Sequence, residues 1–304
     1  MKFIIYQKSR TGGREHNQDR IAYSYSRDAL LMVLADGMGG HLHGEVAAQL
    51  AVQLIAESFE KHANPKLEKP RDFLHYAFHN AHDAILSYAN DHDLADSPRT
   101  TCVSCIVQDD SAYWAHVGDS RLYLFRGGKL LMRTRDHSKV QQLLDQGSLT
   151  PGQIATYPER NKIYNCMGGF LPPEVDLSKK TAIRRGDTLM LCSDGLWGPL
   201  SDAEITNTIS SYPVIQAVQQ LMDRAELREG GNSDNISAIG MTWDGGDARD
   251  ETAAGVSTVT MPLTAFTTQM SGFDREHADA PDVTDEEIER AIAEIQKTIE
   301  KYKK

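Results

Sequence analysis

Long apolar runs are missing from this sequence. The longest, which contains Leu30–Ala35, falls far short of the roughly 20 residues that span a bilayer, so no transmembrane helix and no membrane partner are expected. The N-terminus offers Lys2 and then only Phe3–Tyr6 before Gln7 and Lys8, without the apolar stretch of a secretory signal, and the expectation is a cytoplasmic protein. Cysteine is scarce too, four in 304 residues, which excludes a disulfide scaffold. Cys102 and Cys105 form a C-x-x-C, but inside Thr100–Val107, which reads as a strand. Residues three apart in a strand point to opposite faces, so buried or strand-surface thiols are expected there, not a redox or zinc pair. Positive charge is in deficit, with 32 Lys/Arg against 43 Asp/Glu and a net charge of −11. That sign disfavours a phosphate-backbone binder, and no nucleic-acid partner is expected. Tandem repeats at solenoid periods are absent.

What is present suits a globular chain: 40% of the residues are hydrophobic and 25% charged. Short strand-like runs alternate with amphipathic segments as far as Trp243, and residues 1–243 read as one domain. From Asp244 the texture changes to Thr, Ala, Ser, Gly and Asp with little periodicity, which reads as a flexible linker over 244–282. Residues 283–304 regain helical order, with Thr284 and Glu287 placed as a capping box and Ile288, Ile292, Ile295, Ile299 and Tyr302 on one stripe. That amphipathic helix packs on its own domain, or binds a partner or a second copy through 284–302. From Gly245 onward 13 acids face 7 bases, so the tail carries −6 of the −11.

Four segments share one layout, an apolar run meeting an aspartate in a turn. Leu30–Ala35 leads into Asp36-Gly37, Tyr113–Val117 into Gly118-Asp119-Ser120, and Leu189–Ser193 into Asp194-Gly195, whereas Ser233-Asp234-Asn235 precedes Ile236–Met241. In an antiparallel sheet the ends of some strands lie beside the starts of others, so these carboxylates can meet at one edge. Clustered like charges need a cation, and oxygen donors without His or Cys suit hard ions such as Mg²⁺ or Mn²⁺. The loop Gly37–Gly44 lacks the Lys-Ser/Thr of a P-loop, and the third glycine of a dinucleotide fingerprint would fall on Leu42. It fits a turn carrying Asp36 into a metal site, followed by a helix from about Glu45 to Phe59.

Arg14–Asp19, Asp36–His41, Thr100-Thr101, Val117–Arg121, Asp136-His137-Ser138, Cys192–Trp197 and Ser233–Ser237 occur in the order seen in metal-dependent type 2C serine/threonine protein phosphatases. The chain resembles that family from about Gly13 to Met241. It is similar to the bacterial form, whose mobile flap Val140–Gly168 resembles, including Tyr157-Pro158 and Arg160-Asn161. The resemblance implies an α+β fold, a four-layer α-β-β-α sandwich of two antiparallel sheets flanked by helices. By that resemblance Asp36 bridges two metals, the Gly37 carbonyl binds the first, and Asp194 and Asp234 bind the second. Asp119 joins Asp194 at a third, weaker metal, Asp19 acts from an outer shell through water, and Arg14 holds the phosphate. The eukaryotic branch carries a histidine directly after the Asp-Gly; here Met38 stands in that place and His41 is the nearest substitute as general acid.

Phosphate monoesters hydrolyse so slowly that a site must supply upwards of roughly 20 kcal/mol, far beyond the roughly 10²- to 10⁴-fold of a lone acid. The expected reaction is in-line attack on phosphoserine or phosphothreonine by a hydroxide activated at two Mn²⁺ or Mg²⁺ ions, without a phosphoenzyme. The implied partners are phosphoproteins, a bacterial Ser/Thr kinase or its substrates. The Thr-rich stretch with Thr258, Thr260, Thr264, Thr267 and Thr268 reads as a tether or as a target of phosphorylation. Two alternatives stand beside this: a catalytically weak phosphatase-like module acting through its C-terminal helix, and a metal-dependent nuclease, which lacks the basic surface.

Overall fold

Alternation along the strands sorts the apolar side chains into three layers. In the computed structural model, which describes residues 1–38, 43–150, 153, 157–159, 162–245, 256–257 and 267–271, two antiparallel sheets stack face to face. One sheet runs in the order β12 (Val256–Ser257), β1 (Lys2–Arg10), β11 (Ile236–Gly245), β10 (Thr188–Cys192), β6 (Arg121–Arg126) and β7 (Lys129–Arg133). The other runs β13 (Thr267–Ser271), β2 (Asp19–Tyr25), β3 (Ala29–Asp36), β4 (Cys102–Gln108), β5 (Ser111–Val117) and β8 (Asp176–Leu177), with β9 (Thr181–Ala182) also pairing β5.

Leu30, Met32 and Leu34 of β3 meet Leu189, Leu191, Ile239 and Met241 between the sheets. The alternate residues Leu31, Val33 and Ala35 face outward under α1 (Gly44–His62) and α2 (Pro70–Asp91). The opposite sheet turns Met190, Cys192, Ile236 and Ala238 toward α5 (Asp202–Ser211) and α6 (Val214–Glu229), and the short helices α3 (Lys139–Asp145) and α4 (Asp194–Trp197) lie between α2 and α5 in the chain. Both faces of each sheet are covered, which is why Leu30–Ala35 is an unbroken apolar run. The four-layer α+β sandwich is the fold expected from the sequence. Cys102 lies in the outer layer and Cys105 between the sheets, on opposite faces of β4.

The helix after the Gly-rich loop runs to His62, three residues beyond its expected end, with Lys61 and His62 favourable at its C-terminus. Within 244–282, β11 extends to Gly245, β12 pairs β1, and β13 pairs β2 from Thr267↔Tyr25 to Ser271↔Ile21. The stretch read as linker thus supplies an edge strand to each sheet, satisfying backbone groups that an edge leaves unpaired. Its weak apolar periodicity concealed this, because edge strands are held by the ladder more than by a buried face. The helix expected over 283–304 and His41 lie outside the described residues, as do Arg160 and Asn161. Among the described residues no helix is long and apolar enough to cross a membrane.

Candidate metal centre

The chain places its strand-end aspartates where the two sheets meet. Asp36 is the last residue of β3 and stands directly opposite Asp19, the first of β2. Asp194 opens the short helix α4 (Asp194–Trp197) two residues after β10, Asp119 follows β5 by two residues, and Asp234 precedes β11 by two. All five belong to one electrostatic cluster: the Asp36 carboxyl is pushed well above its ordinary value by burial and then by Asp19, Asp194, Asp119 and Asp234. Burial raises Asp19 to about 7 and Asp194 to about 6, and it raises Asp119 well above the usual range, with Asp194 and Asp136 adding to it.

Backbone geometry explains how the carboxylates are held. Gly37 N–H donates to the Gln18 carbonyl at 3.1 Å, and a Cβ on Gly37 would sit 2.5 Å from the Gly44 backbone, so the loop after Asp36 admits only glycine there. Thr101 N–H donates to the Asp36 carbonyl at 2.9 Å, and the Thr101 hydroxyl pairs with Ser120 at 2.7 Å beside Asp119. Ser193 donates its hydroxyl proton to Asp19 Oδ2 at 2.8 Å, whereas Asp19 Oδ1 is buried without a protein partner. Asn235 accepts from Gln18 N–H at 2.8 Å and donates to the Thr11 and His16 carbonyls at 2.8 and 3.0 Å, tying the β1–β2 turn to Asp234.

That turn carries Arg14, whose guanidinium donates to Asp234 Oδ2 at 2.7 Å on the solvent-facing rim. Asp234 Oδ1 also accepts from Asn235 N–H at 2.8 Å. Every expected carboxylate joins the cluster, with Arg14 bonded to one of them; His41 lies outside the described residues. Sequence reasoning passed over the supporting groups Ser193, Thr101, Asn235 and Trp197. Ser193, Asn235 and Trp197 share a motif with Asp194 or Asp234 and Thr101 stands in the Thr100-Thr101 motif, and that membership was the available signal. Trp197 Nε1 donates to the Asp119 carbonyl at 3.0 Å, and Arg121 lies 3.5 Å over the Trp197 ring while forking onto Asp136 at 2.8 and 2.7 Å.

The sequence profile described as Protein phosphatase 2C matches residues 7–234. The chain belongs to the protein phosphatase 2C family. It is 33% identical over 226 residues to a putative protein phosphatase 2C-type protein of Streptococcus pyogenes, covering 74% of this chain and 90% of that one. Among solved structures, the S. agalactiae serine/threonine phosphatase matches with 30% identity and a TM-score of 0.72, covering 79% of this chain and 99% of that one. The catalytic domain of the serine/threonine protein phosphatase PstP, solved in complex with two manganese ions, matches with 29% identity and a TM-score of 0.67 over 79% and 98% of the two chains. The fold and the bacterial branch expected from the motifs agree with these likenesses, and the family's members are metal-dependent protein phosphatases.

The donor set fits a hard divalent cation. It consists of oxygen atoms alone, the carboxyls of Asp19, Asp36, Asp119 and Asp194 are raised by burial and by their neighbours' charge, and Asp19 Oδ1 is a buried acceptor without a protein partner. A second group, His116, His137 and Asp176, brings ligand atoms within 4.8 Å of one another. Burial and His116 push His137 down to about 4, so its ring is neutral at physiological pH. Its Nδ1 accepts from Gly118 N–H at 3.2 Å and from the Asn165 amide at 2.7 Å, which leaves the ring proton on Nε2. That nitrogen presents an N–H and not a lone pair, so this histidine is not disposed as a metal ligand.

Proposed function

We propose that this phosphatase hydrolyses phosphoserine and phosphothreonine in proteins. In this reading Asp36, the Gly37 carbonyl, Asp194 and Asp234 hold two Mn²⁺ or Mg²⁺ ions. Asp119 with Asp194 holds a weaker third, and Asp19 acts from the outer shell. The observation that carries it is the convergence of the five carboxylates at one sheet junction with Arg14 on the rim. Divalent ions held by these residues would neutralise the cluster and would supply an activated water and charge compensation for the phosphoryl oxygens.

The chain's own residues divide the remaining work. Arg14 presents a planar fork on the exposed rim, suited to two phosphate oxygens, and its bond to Asp234 holds it over the cluster. Ser193, Thr101 and Asn235 hold the carboxylates in place. No cysteine is disposed as a nucleophile: burial pushes the thiols of Cys102, Cys105, Cys166 and Cys192 up, which supports hydrolysis without a phosphoenzyme. His41 remains the proposed general acid. We assign catalysis to residues 1–243, with the strands of 244–282 as edge cover and 283–304 as an amphipathic helix that packs on its own domain or engages a partner or a second copy. Phosphoproteins under a Ser/Thr kinase, or the kinase itself, are the proposed substrates.

The test is phosphate release from a phosphothreonine peptide with Mn²⁺ or with chelator, wild type beside Asp194→Ala. Turnover that needs metal and collapses in the variant supports the reading. A folded, metal-loaded wild type that releases no phosphate overturns it in favour of a binding module.

A further inference from the structure

Gly118 precedes Asp119 and sits at φ +97°, where a Cβ would lie 2.6 Å from the Thr101 side chain, so the peptide entering Asp119 has one tolerated geometry. One residue grips that glycine on both sides. His137 N–H donates to the Gly118 carbonyl at 3.0 Å, and His137 Nδ1 accepts Gly118 N–H at 3.2 Å. The ring is itself fixed: it stacks on His116 with centroids 4.6 Å apart, and His116 Nε2–H donates to the Arg135 carbonyl at 2.7 Å.

The other end of this grip is the base of the excursion 139–163. Tyr164 N–H donates to the His137 carbonyl at 3.0 Å, Lys139 N–H donates to Lys162 at 2.8 Å, and Ser138 bridges Ile163. Asn165 closes the base. Its amide donates to His137 Nδ1 at 2.7 Å and to the Glu174 carbonyl at 2.7 Å, while its Oδ1 accepts from Glu174 N–H at 3.1 Å. The two Glu174 bonds fix which way the amide faces, so a donor and not an acceptor meets the histidine.

We propose that His137 is a positioning residue: its unprotonated Nδ1 holds the Gly118–Asp119 peptide and, through Asn165, registers the base of the 139–163 excursion on the Asp119 carboxylate. This rests on the reading of Asp119 as a ligand of the weaker third ion. A carboxylate fixed by a rigid peptide binds an ion more tightly than one free to swing, and loss of such a supporting partner typically costs about 10- to 100-fold in metal affinity.

The experiment counts bound Mn²⁺ by electron paramagnetic resonance of the free ion. It compares full-length wild type, Asp119→Ala, His137→Phe, His137→Asn and Asn165→Ala, each melted first to establish folding. His137→Phe keeps a ring on His116 and removes the acceptor; Asn carries its Oδ1 where Nδ1 stands. The expected result is that Asp119→Ala and His137→Phe lose the weakest Mn²⁺ step by about tenfold or more with the tighter steps intact. His137→Asn restores that step, and Asn165→Ala weakens it. A His137→Phe protein that titrates like wild type while Asp119→Ala does not overturns the clamp, as does a His137→Asn protein impaired as much as His137→Phe. If Asp119→Ala itself titrates like wild type, the assignment of Asp119 fails and takes the clamp with it, and that variant tells the two failures apart. Should His137→Phe not fold, the contrast between His137→Asn and Asn165→Ala decides: wild-type binding in both overturns the link to the excursion.

Discussion

Asp19 and Asp36 stand directly opposite each other at the end of the β2–β3 ladder, Asp19 fully buried and Asp36 partly so. Like charges placed across an antiparallel pair are destabilising, and burial compounds the repulsion. The fold thus keeps a mutually repelling, buried carboxyl pair at one sheet edge, at a cost in stability.

Relieving that repulsion should stabilise the metal-free protein. In chelator, Asp36→Asn is expected to melt above wild type; a gain of about 1 kcal/mol corresponds to roughly 2–4 °C for a chain of this size. Adding Mn²⁺ should raise the wild-type melting temperature and leave the variant's nearly unchanged. Scanning calorimetry with and without metal checks both halves, and a variant that melts lower in chelator would show that repulsion is not the dominant local effect.

Arg14 is 56% exposed in its side chain, so its pair with Asp234 is worth little to folding, about 0–1 kcal/mol. Its expected service is to the phosphate. Arg14→Ala should raise KM more than it lowers kcat, with the urea midpoint close to wild type. Steady-state kinetics on a phosphothreonine peptide provide the check; a fall in kcat at constant KM contradicts a ground-state phosphate contact.

Arg121 and Asp136 form the buried counterpart, with side chains only 10% and 7% exposed. Removing the acid strands a guanidinium against Trp197 and costs far more than breaking a rim pair. Asp136→Asn is expected to lose about 3–5 kcal/mol in urea unfolding. A loss below about 1 kcal/mol would mean that water or Asp202, 3.9 Å from Arg121, takes over the charge.

Glu204 supplies the acid for a pH test away from the site. Arg228, then the backbone N–H and hydroxyl of Ser201, lower its carboxyl from 4.5 to about 2. As pH falls, the unfolded chain takes up this proton first. The stabilising contribution is therefore whole above about pH 4.5 and drains away toward about pH 2. The stability gap between wild type and Glu204→Gln should be wider at pH 6 than at pH 3 in urea titrations, and a constant gap would contradict the linkage.

Much of this was legible in the residues. Leu30–Ala35 and Leu189–Ser193 announce strands covered on both faces, and an aspartate at a strand end, followed at Asp36 and Asp194 by glycine, is a local pattern that needs no partner to be seen. Local chemistry also determined that Cys102 and Cys105 point apart, because strand geometry alternates regardless of what packs on it. The tertiary structure alone decided which aspartates meet, since Asp19 and Asp234 lie 215 positions apart and are joined only when β2 and β11 are stacked. It decided that Thr267–Ser271 returns to cover β2, an edge pairing written in backbone hydrogen bonds that no side-chain period reveals. And it decided that His137 grips Gly118, because a hydrogen bond between residues 19 apart depends on where two turns come to rest, and chain order does not encode that position locally.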